Sequence, residues 1–530
     1  MTTTLFRGGP VYSPADPFAT ALLVEDETVA WVGSADAAPE ADSVVELAGA
    51  LVAPAFVDAH VHTTATGLAL TGLDLSAARS LAEALGLVAA AARAAPGLPL
   101  LGGGWDETSW SERRAPTVAE LDRAAAGAVV YLARVDRHCA VVSNALRAAV
   151  PEAAGLAGFA ADGPVRLGAD RRFARAAYGT LTPAQRRDAQ RAARARAAEL
   201  GIGCLHEMGG PDLGGEPDLA GLLALARDEP GPQVVGYWGE LAAVDRAREL
   251  GAHGCAGDLL VDGSLGSHTA LLSAPYADAP TRGHAYLDAD DVARHLGACA
   301  DAGLQAGFHA IGDAALATVC AGLTRGHHRP GGGPARTGPV RVEHAECPDE
   351  ATIGVLASCG VLASVQPAFD ARWGGPSGTY AQRLGPARAR AMNPFAAMAA
   401  AGVPFAFGSD APVTPLDPWG AIRAAVRPST PAHAMSARAA FAAHTRGGWR
   451  ATGSAPPGDA GVLVPGAPAT LAVWSAGDLV VQAPDPRVAA WSTDPRAGIP
   501  GLPDLDGEPP VCLRTLVRGR TVYESPGAAG

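Results

Sequence analysis

The sequence predicts an α/β protein: a (β/α)8 TIM-like barrel with a small β-sandwich domain formed by both termini and an insertion after the first barrel strand. Three features lead there. Between residues 51 and 440, apolar strand-like runs alternate with alanine-rich helical stretches, the pattern of a parallel sheet covered by helices. Both chain ends instead carry short β-branched and apolar runs bounded by Gly, Asp and Ser, which are strand and turn signals. Five of the central runs close on a histidine or an aspartate.

Bulk properties agree with a large folded chain. At 530 residues it exceeds the ~250 at which one core stops growing, so a large domain with a smaller one is expected. Charged residues make up 18%, below the roughly 25% of an average domain, which suits a big core. Net charge is −13, and the 41 basic residues are all arginine, scattered along the chain. Nucleic acid or an anionic membrane needs a basic stripe, so neither is an expected partner. With no lysine in the chain, Schiff-base and lysine-carbamate chemistry are excluded. Eight cysteines form no C-x-x-C pair and several lie in apolar runs, as buried free thiols do. MTTTLFRGG lacks the features of a signal peptide, and no apolar run reaches the ~20 residues of a membrane helix, so the expected location is cytoplasmic. A homodimer is the default for such a protein.

Taken in order, TLFRGG, ATALLVED, TVAWVGS and SVVELAGALVAP at the start, and ATLAVWSAGDLVVQ and CLRTLVRGRTVYE at the end, read as strands of one composite domain, 1–54 with 441–530. The barrel should occupy 55–440. Ser80 with Glu83, Thr117 with Glu120, and Thr182 with Gln185 carry capping-box spacing, and the helix begun at Thr182 should stop at Gly201. Ten strand candidates lie near residues 58, 101, 131, 205, 235, 260, 307, 342, 363 and 406, two more than a barrel uses. The surplus pair, PLLGGGW and AVVYLARV, falls in the insertion, about 70–180. Loops after barrel strands build the active site, so this insertion should lean over the pocket.

His60 and His62 end VDAHVH, where strand alternation aims both rings to one side. A lone H-x-H says little, since 14 histidines in 530 residues give about 0.4 such pairs by chance. His309 in FHAIGD and His344 in VEHAE close later strands; singly, each reads equally as a core histidine. Asp410 in FGSDAP reads alone as a helix cap. Together and in this order, the five read as metal ligands.

The chain is identified by resemblance as a member of the amidohydrolase superfamily, in the YtcJ-like branch of the amidohydrolase-3 family. The resemblance runs through AFVDAHVH, GGGWDETSW, APTVAELD, RHCAVVSNAL, GIGCLHEMGG, DLLVDGSLGSHTALL, FHAIGDAAL, VRVEHAE, ASVQPAF and FGSDAPV. It implies a distorted barrel, a sandwich from both termini, a divalent metal, usually zinc, and hydrolysis of amide or related C–N bonds. Where the family pattern places a carbamylated lysine bridging two cations, this sequence has Asp258. Aspartate is about four bonds shorter, on the order of 5 Å of reach, so one ion is favoured over two. A two-ion site needs Asp258 to move inward or Glu207 to bridge; Glu207 reads otherwise as a partner of His206 or an arginine.

The expected activity is therefore metal-dependent hydrolysis of an amide, N-formyl, N-acyl or cyclic amide bond in a small molecule. Asp410 is the expected general base, and His344 either a ligand or a contact to the substrate oxygen. A deaminase or esterase is the alternative with the same site, and a non-catalytic binding protein the alternative from another class. Substrate-facing candidates are Trp105, Asp106, His138, His268, Gln366 and Arg372.

Overall fold

The computed structural model describes residues 1–327, 339–453, 460–480 and 501–526. Eight parallel strands form its central sheet: Phe56–Val61, Ile202–Gly209, Gln233–Trp238, Gly254–Cys255, Gln305–Ala310, Arg341–His344, Leu362–Val365 and Phe405–Phe407. The last closes on the first through a parallel bridge between Val61 and Ala411. At that seam Gly408 is required sterically, because a Cβ there would lie 2.5 Å from the His60 backbone nitrogen. Phe56, Leu205, Phe308, Val342 and Phe407 belong to the main core, which continues into the covering helices through Leu316, Leu356, Ile422 and Phe441.

The fourth strand departs from expectation. Its ladder is only Gly254–Cys255, several residues before the expected centre near 260, and Leu260 instead bridges singly to His309. Between them the chain turns at Gly257, φ 80°. That turn takes Asp258 off the strand direction.

The insertion has its own five-stranded sheet, from Leu73–Asp74 through Leu100–Trp105, Val130–Arg134 and Cys139–Val142 to Val165–Arg166. Helix Leu81–Ala94 covers one face around Leu121, Val130 and Val141; helix Leu167–Tyr178 covers the other around Tyr131, Val142 and Phe173. Thr117 and Thr182 make full capping boxes, and Ser80 accepts from the Glu83 amide. The helix after Thr182 runs Pro183–Glu199 and ends before Gly201, φ 71°.

Among the described residues the terminal strands make one two-stranded sheet, Leu479–Val480 with Leu502–Pro503, and two four-stranded sheets. Thr3–Arg7, Ala21–Glu25, Thr28–Gly33 and Ser43–Glu46 form one; Leu51–Pro54, Leu471–Ser475, Val511–Val517 and Arg520–Glu524 form the other. Phe6, Leu22 and Val29 from the first pack with Val52, Val473 and Leu516 from the second. Beyond Val480, the run DLVVQ lies outside the described residues. Helix Ala437–Ala443 spans position 440, so the barrel's covering helices continue past the expected junction. All eight cysteines are free, and no described helix is long and apolar enough to cross a membrane.

Candidate metal centre

The barrel brings His60, His62, Asp258, His309, His344 and Asp410 together at the C-terminal ends of its strands. Asp258 stands among the four histidines. Its Oδ2 lies 3.1 Å from His62 Nε2, and its Oδ1 lies 3.3 Å from His309 Nδ1, 3.6 Å from His60 Nε2 and 3.8 Å from His344 Nε2. Asp410 Oδ1 is 3.2 Å from His62 Nε2 and 3.5 Å from His60 Nε2. The bond-count reading lets Asp258 reach the ligands only if the backbone moves inward, and the chain turns at Gly257, φ 80°, with the Asp258 carboxylate among the histidines.

Three of the histidines are oriented from behind. His60 Nδ1 donates to Glu343 Oε2 at 2.9 Å, His344 Nδ1 to Gln366 Oε1 at 2.7 Å, and His309 Nε2 to the Gly263 carbonyl at 3.2 Å. Each ring then turns its other nitrogen to the centre, where loss of its proton to a metal would give the arrangement of metal-ligating imidazoles. Glu343 is anchored by Arg341, Nε to Oε1 2.8 Å, and the Arg341 guanidinium also meets His206 Nδ1 at 3.0 Å and lies over the Tyr237 ring. Asp58 ties the first strand to the last by accepting the Ser409 amide at 2.9 Å, and Asp262 accepts the amides of Leu271, Ile311 and Gly312. Sequence reasoning missed Glu343, Arg341, Asp58 and Asp262; an acidic residue beside each ligand motif was the available signal.

Backbone strain marks two ligands. His344 has φ 72° and Asp410 φ 53°, left-handed values that cost a non-glycine residue on the order of 1–3 kcal/mol. In His344 the twist has a use. Alternation would turn it away from the side Glu343 faces, yet both reach His60, with the His344 and His60 rings 4.9 Å apart. Asp410 caps no helix, since the next one, Pro418–Val426, is capped by Asp417.

Burial pushes the His60 and His62 pKa values down, but Asp258 and Asp410 more than reverse this, and His62 rises to about 9. Burial likewise works to raise Asp258 and Asp410, and the histidine charges hold both below the usual carboxylate range. His344 is lowered by burial and then by His309. This donor set fits a divalent cation. His60 Nε2 and Asp410 Oδ1 are buried without a hydrogen-bond partner, and imidazole with carboxylate is a set suited to zinc. Three groups have ligand atoms within 4.8 Å of one another: His60 with His62 and Asp258, Asp258 with His309 and His344, and His60 with His344 and Asp410.

A cavity of 370 Å³ opens on these ligands, walled partly by the insertion. Of the expected substrate-facing residues, His138 is there, its ring 5.2 Å from that of His309. The others lie elsewhere. Trp105 is buried in the core of the insertion with Nε1 bonded to the Leu132 carbonyl, because a scarce aromatic is as readily core as rim. His268 is tied to Asp278 at 2.9 Å, outside the cavity wall. Gln366 is spent on His344; Asp106 pairs with Arg134 at 3.0 Å, and Arg372 bonds the Val413 carbonyl. Glu207 lines the cavity and accepts the Thr63 amide at 2.7 Å, pairing with neither His206 nor an arginine.

Comparison with known proteins agrees with this architecture. The family model described as "Amidohydrolase family" matches residues 43–523. YtcJ of Bacillus subtilis (strain 168) is 28% identical over 457 residues, 80% of this chain and 83% of that protein. LONG AFTER FAR-RED 3 of Arabidopsis thaliana is 26% identical over 451 residues, 78% and 75% of the two chains. Among solved structures, an uncharacterized metal-dependent hydrolase from Pyrococcus furiosus superposes with TM-score 0.68 at 25% identity, covering 91% of this chain and 99% of its own. One from Pyrococcus horikoshii OT3 gives 0.70 at 24%, covering 91% and 98%, and shares the fold.

Proposed function

The chain belongs to the amidohydrolase family and is a metal-dependent hydrolase, and we propose that it cleaves a carbon–nitrogen bond other than a peptide bond, in an amide, N-formyl, N-acyl or cyclic amide. The observation that carries this reading is the convergence of four histidines and two aspartates at the barrel mouth, five of the six lining one cavity. The family's description favours nitrogen over oxygen as the leaving atom.

His60, His62 and Asp258 would hold one divalent cation, zinc by the chemistry of the donors, and His309, His344 and Asp258 a second. A bound divalent cation supplies Lewis acidity, polarising the scissile carbonyl and lowering the pKa of water to ≈ 7. Asp258, shared by both groups, would contribute the negative charge that a pair of divalent cations requires. Asp410, held ionised, takes the proton of the attacking water and returns it to the leaving nitrogen. His344 donates through Nδ1 to Gln366 and turns Nε2 toward Asp258, which favours the role of a ligand over that of a donor to the substrate oxygen.

The test is a hydrolysis screen of metal-quantified protein against amides, esters and amino-heterocycles. Turnover of an amide, with Asp410→Asn retaining metal and losing roughly 10²-fold or more in kcat, is the expected result. Full activity in Asp410→Asn, or preference for esters or amino-heterocycles, overturns the assignment.

A further inference from the structure

A hairpin of the insertion ends inside the cavity. Strands Val130–Arg134 and Cys139–Val142 run antiparallel, and the turn between them places Asp136, Arg137 and His138 in the cavity wall. Two of these are committed. Asp136 accepts from the hydroxyls of Ser264 at 2.6 Å and Ser267 at 2.8 Å and pairs with Arg134 at 3.0 Å. His138 packs on His309 and is kept neutral, its pKa pushed to about 4 by burial and then by His309.

Arg137 is not committed. Its guanidinium makes one hydrogen bond among the described residues, to the Tyr178 hydroxyl at 2.5 Å, and has no ion pair there. Arg134, three residues earlier, is shared by Asp106, Glu107 and Asp136. The Arg137 backbone is left-handed, φ 57°, a strained conformation for a long side chain. A half-buried guanidinium without a close ion-pair partner is free to pair with the anion of a ligand.

The surroundings specify that ligand. Tyr178 receives a hydrogen bond from Arg137, and its own proton has no acceptor among the described residues, so the pair presents an N–H and an O–H side by side. This matches the two oxygens of a carboxylate. The same wall carries Asp170, Asp212 and Glu240, acids that oppose a dianion such as phosphate more strongly than a monoanion. Asp410 lines the same cavity as Arg137, so both face one bound molecule. Leu265, Ile311, Phe369 and Trp373 give the cavity an apolar side.

We propose that Arg137, with Tyr178, is the receptor for a carboxylate carried by the substrate, so that the bond cleaved is an amide within an acidic molecule such as an N-acylated amino acid. This rests on the carbon–nitrogen reading of the same site and names its substrate class. In the reaction, water oxygen bonds the acyl carbon, the C–N bond breaks, and the leaving nitrogen takes the proton, giving a carboxylic acid and an amino acid without a further reactant.

The test compares N-acetyl-leucine with N-acetyl-leucinamide, in both configurations, on metal-loaded wild type, Arg137→Gln and Arg137→Lys. Equilibrium binding of the same pair is measured in the Asp410→Asn background, where turnover is blocked. We expect kcat/KM for the acid to exceed that for the amide by at least ~10-fold, the ratio to approach one in Arg137→Gln, and Arg137→Lys to recover part of it. Equal turnover of acid and amide, or a preference that survives Arg137→Gln, overturns the receptor and leaves the hydrolase reading intact. Binding that prefers the acid through Arg137, without turnover of either compound, keeps the receptor and overturns the carbon–nitrogen reading. Neither turnover nor Arg137-dependent binding overturns the receptor.

Discussion

His60 Nδ1 lies 2.9 Å from Glu343 Oε2, and the Glu343 carboxylate is held in turn by Arg341. This chain fixes which His60 nitrogen faces Asp258 and Asp410, and its carboxylate raises the basicity of that nitrogen. Glu343→Gln keeps the shape and an acceptor but removes the charge. Metal affinity should fall ~10–100-fold, read by competition with a chelator. Stability should fall as well, because Arg341 is fully buried and would lose its counter-ion. Unaltered metal affinity would show that His60 needs no such orientation.

Gly408 sets how closely the eighth strand approaches the first. Gly408→Ala places a methyl 2.5 Å from the His60 nitrogen, a distance that backbone must relieve by moving. The expected loss is about 1–3 kcal/mol of unfolding free energy, with weaker metal binding because Asp410 lies two residues on. Urea unfolding and metal titration of the variant check both. Wild-type values in each would mean the seam is looser than the contact implies.

How much of this was legible in the sequence follows from where each signal lives. The barrel strands were readable because His60, His309, His344 and Asp410 punctuate apolar runs at their ends, and the sheet places them as expected. The fourth strand was displaced because its ladder is two residues long, and the left-handed turn at Gly257 has no hydrophobic signature. Asp258 was underestimated for the same reason, since reach was counted along the side chain while the backbone supplied the distance. Trp105 and His268 were candidates by residue type alone, and packing assigned them to a core and to an ion pair. Arg137 opens the resembling segment RHCAVVSNAL, which by itself gave it no role. It matters through a hairpin that reaches residues far along the chain, a relationship only the tertiary fold creates.

Asp170 offers a pH test away from the ligands. Burial lifts its pKa to about 7, against the pull of the Tyr131 hydroxyl at 3.0 Å and of Arg137. In the unfolded chain the value is ~3.9, so from there to about 7 the folded state holds a proton that the unfolded state has lost. The stabilisation is complete below ~3.9 and disappears as pH rises through the folded value. Asp170→Asn should remove this fall, which is on the order of a few kcal/mol between pH 4 and 8, in unfolding measured across that range. An unchanged slope would mean that Asp170 is ionised in the fold.

The central claim is that Asp258, in a chain without lysine, joins two sets of ligands. Its most direct test is the metal content of zinc-saturated protein freed of unbound ion, measured by elemental analysis for wild type and Asp258→Ala. The account expects close to two ions per chain in the wild type and one or fewer in the variant. One ion in the wild type, or two retained by Asp258→Ala, would contradict it.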